Sequence, residues 1–169
     1  MNAKRPGFAL SIALLLTCLL YLISTYETLP DRVAVQFDFN NKPTSWQSKS
    51  GFIKLYLGVL VTVNIFLWLL KKFLTRIPES LINVPWKGYW FSTEERKSTA
   101  LFRMQTVLAY ALAFVNLVYL FVYHVVLQEN SSGSFLYIPV DIGVYFILFL
   151  SLISVVGLFL YMRPPKEEI

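Results

Sequence analysis

Four long apolar stretches, a lopsided spread of basic residues and an apolar composition predict an all-α integral membrane protein. The architecture expected is a four-transmembrane-helix bundle with both termini cytoplasmic (N-in/C-in), filling residues 1–169 as one membrane domain. Hydrophobic residues make up 56% of the 169, aromatics 17%, and the mean hydropathy is +0.58. A soluble domain of this size has too little interior to hide so much apolar surface, and apolar runs of roughly 18 residues or more point to bilayer spans. Of the 15 Lys and Arg, only Arg32, Lys42, Lys49 and Lys54 lie around the first connection; the others sit at the two ends and between residues 71 and 103. The positive-inside rule therefore puts the termini and the middle connection in the cytoplasm and the first connection outside. The net charge of +5 sets orientation, and no nucleic-acid partner is expected.

The first helix is expected over about residues 8–26, after Lys4-Arg5-Pro6. A basic lead before an apolar run has the layout of a signal peptide. The run is too long for an h-region and no small-x-small site follows it, so an uncleaved helix is expected. Residues 27–51 then form the long polar connection, read as a structured extracytoplasmic loop of 25 residues. Glu27, Asp31 and Asp38 balance Arg32, Lys42 and Lys49 there. Val33, Val35, Phe37 and Phe39 alternate with Ala34, Gln36 and Asp38, the period-two pattern of a short strand with one buried face. Asn40-Asn41-Lys42-Pro43 reads as a turn, because Asn tolerates left-handed backbone and Pro presets φ.

The second helix is expected over about residues 52–70, with Lys54 snorkelling near its start and Asn64 deep inside it. A polar amide at that depth most simply bonds to another helix. Residues 71–92 form a basic cytoplasmic loop whose Asn83 to Phe91 stretch concentrates aromatics of the kind that prefer headgroup depth. Ser92 with Glu95 fits a capping box opening a third helix over about residues 93–127. That length exceeds a bilayer core, so its first turns, up to Arg103, should project into the cytoplasm. Ala109 and Ala113 offer a small face for close helix approach, and Asn116 falls at a depth to partner Asn64. His124, the one histidine, sits near the outer end. It reads as an interfacial imidazole bonded to the outer loop, with pH sensing opposite Glu27 or Asp38 as the other reading. Asn130-Ser131-Ser132 fits the glycosylation pattern, which means nothing without the machinery. A fourth helix is expected over about residues 140–162, with Asp141 in its first turn and Ser151, Ser154 and Gly157 as contact positions.

Two blocks of residues resemble a known family. Leu29-Pro30-Asp31-Arg32-Val33, Gln36-Phe37-Asp38, Asn40-Asn41-Lys42-Pro43 and Trp46 through Lys49 make the first; Asn83, Pro85, Tyr89, Trp90, Glu95 and Arg96 make the second. Together they are similar to the leading domain of the SdpI-type bacteriocin immunity proteins, with Ala34, Gln36 and Asn41 standing where that pattern has Pro, His and Gly. Gln36 keeps hydrogen bonding but neither titrates nor favours metal. The resemblance covers roughly residues 8–130, with no second immunity domain discernible in 131–169. It implies a multi-pass bacterial inner-membrane protein of the immunity, toxin-tolerance or envelope-signalling type, which in that family protects its cell against a membrane-active peptide toxin, with residues 27–51 as the extracytoplasmic recognition surface. Pro30, Gln36, Phe37, Asp38 and Trp46 would meet the peptide. The basic face of Arg96, Lys97 and Arg103 would meet a cytoplasmic regulator. Asn64, Asn83, Pro85, Tyr89, Trp90, Arg96 and Asn116 are assigned structural roles.

No P-loop, nucleophile elbow, zincin or Cys/His cluster is present, and lone Cys18 and His124 build no metal site, so neither enzyme activity nor a cofactor is expected. No Asp, Glu, Lys or Arg lies in mid-helix, against a proton relay or charged-substrate transporter. The competing reading is a non-catalytic accessory or scaffold subunit of a larger membrane complex. Its partners would be the bilayer and another membrane protein.

Overall fold

The structure is a computed structural model that describes residues 6–38, 42–131 and 136–165. It is mostly helical, with four helices long and apolar enough to cross a membrane. This is the make-up of a multi-pass membrane protein. In chain order the elements are helix α1 (Pro6–Thr25), strands β1 (Arg32–Phe37) and β2 (Pro43–Ser48), α2 (Lys49–Phe73), the single turn α3 (Lys87–Trp90), α4 (Glu94–Asn130) and α5 (Val140–Tyr161).

Local chemistry explains the boundaries. Pro6 opens α1, where its missing N–H costs nothing. The Ser48 hydroxyl caps α2 by accepting from the Gly51 amide at 3.1 Å, and Lys71 and Lys72 complement the dipole in its last turn. At α4 the capping box predicted on Ser92 is not formed. The Ser92 hydroxyl is committed to the Tyr89 carbonyl, and extended Thr93 accepts from the Arg96 amide instead. The connection predicted as a loop over residues 71–92 is partly helical, because α2 runs on to Phe73 and short 3-10 turns follow at Leu74–Arg76 and Glu79–Leu81.

Helix α4 is the axis of the molecule. Helix α1 lies along it in parallel, α2 crosses it antiparallel, and the β1–β2 hairpin sits over its C-terminal end. Small residues make the α1 contact close. Gly7, Ser11 and Cys18 are buried on α1, as are Ala109 and Ala113 on α4. A Cβ on Gly7 would stand 3.2 Å from the Tyr110 ring. Above them a core of Leu22, Phe52, Tyr56, Leu60, Tyr123 and Leu127 extends into the hairpin through Leu29 and Val33. A second core gathers Ile82, Val84, Trp90, Ala100 and Met162 at the opposite, basic end.

Helix α5 is different. Only 6% of its most apolar window is buried. It meets α4 near its start at Gly143, where a Cβ would come within 2.0 Å of the tip of the Phe121 ring, so a larger residue there must push the ring or the helix aside. Ser151, Ser154 and Gly157 do not act as the predicted contact positions. The two serine hydroxyls return to their own helix at Ile147 and Leu150, and a Cβ on Gly157 would meet open space.

Candidate functional site

The hairpin was predicted as one alternating strand. It is two antiparallel strands in the register Arg32↔Ser48, Val33↔Gln47, Ala34↔Trp46, with irregularities flanking Gln36. The alternation breaks there, so Val33 and Ala34 are both buried while Val35 and Phe37 are only partly so. Phe39 and the Asn40-Asn41 turn lie outside the described residues, as do Lys4, Arg5, Lys166 and Ser132 of the glycosylation pattern.

What fixes the hairpin is a residue that sequence reasoning passed over. The Asn130 side chain accepts from the Ala34 amide at 2.6 Å and donates to the Ala34 carbonyl at 2.9 Å, as a neighbouring strand would. It also donates to the Val126 carbonyl at 2.8 Å. Two residues earlier, Gln128 does the same for the chain entering α5. Its amide donates to the Ile138 carbonyl at 3.0 Å and accepts from the Ile138 N–H at 3.1 Å. A Gln-x-Asn pair ending an apolar run was the available signal: two amides on the last turn, where connecting backbone must find partners. A glycan on Asn130 would break its bonds to Ala34.

On this platform Pro30, Gln36 and Trp46 are exposed, Trp46 at 48%, and Phe37 and Asp38 are half-buried. Asp38 turns inward to the hairpin, its carboxylate accepting from the Lys42 amide at 2.8 Å. The structure thus groups Gln36 and Trp46 on one small exposed sheet, with Pro30 just before it.

Below the hairpin a polar seam crosses the helices. The imidazole of His124 meets the Tyr21 hydroxyl at 2.7 Å through Nδ1 and the Leu136 carbonyl at 2.8 Å through Nε2, rather than Glu27 or Asp38. Thr25 and Tyr123 share a hydrogen bond of 2.9 Å. Halfway along the spans, Asn64 Nδ2 donates to Asn116 Oδ1 at 2.8 Å and Asn116 Nδ2 returns the bond at 3.2 Å. Asn116, fully buried, also donates to the Ser11 carbonyl at 3.0 Å, tying three helices at one level. Among the described residues no buried side-chain N or O lacks a partner.

At the basic end the second motif block forms an aromatic shelf. Trp90 is 2% exposed and its indole donates to the Met162 carbonyl at 2.8 Å. Arg96 lies 4.3 Å over the Tyr89 ring, and Arg103 lies 4.7 Å over Trp90 while donating to the Tyr161 carbonyl at 2.7 Å. Asn83 is exposed and Pro85 half-buried. Trp86 has left-handed backbone (φ 54°), a conformation that costs a bulky residue about 1–2 kcal/mol. Two bonds to its carbonyl, from the Tyr89 and Trp90 amides, and a ring contact with Phe159 at 4.5 Å hold it there.

Residues 13–70 match a family model described as a domain of unknown function (DUF1648). A DUF1648 domain is found here. The matched stretch takes in most of α1, the whole hairpin and α2 up to Leu70. Domains of this kind are often found in membrane proteins. The DUF1648 stretch holds the hairpin but not the Asn130 amide that secures it. No curated protein and no solved structure matches the chain.

Proposed function

We propose that this is a bacterial inner-membrane protein of the immunity or toxin-tolerance type, in the manner of the SdpI-type proteins. In this reading the hairpin faces outward as the recognition surface, and both termini and the basic end are cytoplasmic. The observation that supports it is the fixing of the hairpin. A solvated connection of this length needs no anchor, whereas this one is bonded through Ala34 to Asn130 and leaves Trp46 and Gln36 open. A large amphipathic ring on a rigid platform is what a peptide-binding surface requires, since little freedom is lost on contact. Arg96 and Arg103 then provide the cationic part of an inner face for an acidic regulator, the Lys97 charge being met by Glu79 and Glu94.

The test is survival. Cells expressing the chain are challenged with membrane-active peptide toxins, beside cells carrying Trp46→Ala or Gln36→Ala at equal membrane abundance. Protection by the native chain that falls at least tenfold in the Trp46 variant is expected. Equal survival of variant and native cells removes the hairpin from the recognition role. The bare length of α5 favours the second reading, an accessory or scaffold subunit of a larger complex. A stoichiometric membrane subunit co-purifying in mild detergent would replace immunity with that role.

A further inference from the structure

Helix α5 is tied down at its two ends and stands away from α4 in between. At one end are the Gln128–Ile138 pair, the His124–Leu136 contact and the Gly143–Phe121 approach. At the other, Trp90 and Arg103 hold the Met162 and Tyr161 carbonyls. Between these ties lies a groove of about 690 Å³, with Val107, Ala111 and Phe114 on one wall and Ser154, Gly157 and Leu158 on the other. Along α4 the lining runs from Thr106 to Val115, which at 1.5 Å per residue is roughly 14 Å, the depth of one leaflet's hydrocarbon. The groove opens one turn from Arg103, with exposed Arg163 at the end of α5 beside it, and closes level with Asn116.

We propose that this groove is a phospholipid site, holding an acyl chain of a lipid whose anionic headgroup meets Arg103 and Arg163. Three features choose this occupant. The length is that of one leaflet, and the cations stand at the mouth where a headgroup would lie. Arg103 spends one nitrogen on α5's last carbonyls and keeps its other donors for a phosphate. Cation clusters between membrane helices select anionic headgroups at about fivefold per arginine near the surface.

The experiment is native mass spectrometry of the detergent-purified chain titrated with phosphatidylglycerol or phosphatidylcholine of identical chains. One phosphatidylglycerol per chain is expected, bound at least fivefold more tightly than phosphatidylcholine. Gly157→Leu, which has room for its side chain, should weaken that binding at least tenfold. Arg163→Gln should reduce the preference about fivefold and leave phosphatidylcholine unchanged. Ser154→Leu serves as a second filling variant should Gly157→Leu not fold. Equal binding of the two lipids, undiminished phosphatidylglycerol binding in a folded filling variant, or a dimer that the filling variants disrupt would each overturn the proposal.

Discussion

At the hairpin end of α4, neutral amides do the holding: Asn130 and Gln128 each meet both polar groups of one backbone residue, at Ala34 and Ile138. At the basic end the holding is cationic and aromatic, with Arg103 and Arg96 lying on rings and Trp90 and Arg103 closing the last carbonyls of α5. The contrast follows from what each chemistry is good at. A paired amide has one satisfied position and loses its bonds when backbone shifts by an ångström, so it fixes a register. A cation over a ring tolerates sliding and stays partly hydrated, which suits a crowded boundary between apolar and polar surroundings.

The largest blow to the basic end is Trp90→Ala. Losing a buried indole and its bond to Met162 should cost about 3–5 kcal/mol, read as a fall in melting temperature in detergent. Trp46→Ala at the other end should leave melting within about 0.5 kcal/mol, because that ring is half in solvent. A similar loss at both sites would erase the contrast. Next comes Asn130→Ala, expected to cost about 1–3 kcal/mol by stranding the Ala34 N–H and C=O. Hydrogen exchange should show the Ala34 amide released while the Trp90 region stays protected. Gly143→Ala drives a methyl into the Phe121 ring, forces the ring or α5 to shift, and should cost about 1–3 kcal/mol. Asn116→Leu sits between the two ends. Its several bonds predict about 1–2 kcal/mol, at the upper range for polar contacts within a bilayer. The smallest effect belongs to salt: the Lys97–Glu79 ion pair lies in solvent, and Lys97→Gln should shift melting hardly at all.

The spans were legible because a bilayer solvent imposes length and polarity on every helix, and the helix positions differ from expectation by three residues or fewer. Asn64 and Asn116 could be set at one depth by counting along their runs, and they are bonded. The hairpin was half legible. Its strand propensity shows in Val33 to Phe37, but the irregularity around Gln36 and the second strand arise from pairing, which a one-strand reading does not contain. Asn130, Gln128 and the cap on Thr93 were missed for a common reason. Each acts on backbone whose position has to be known first: the Gln-x-Asn pair shows that two amides seek partners but not that these are Ala34 and Ile138, and Thr93 stands beside an equally suitable Ser92. The serines of α5 misled because small polar residues suggest contact, whereas here their hydroxyls satisfy themselves within the helix.

On the hairpin the Asn130 amide bonds main chain alone, at Ala34. The anchor therefore does not depend on the side chains at 36 and 46, and the seating of the hairpin is separable from what its outer face displays. The lettering on that exposed face can change while the page it is written on stays bound to the same spine.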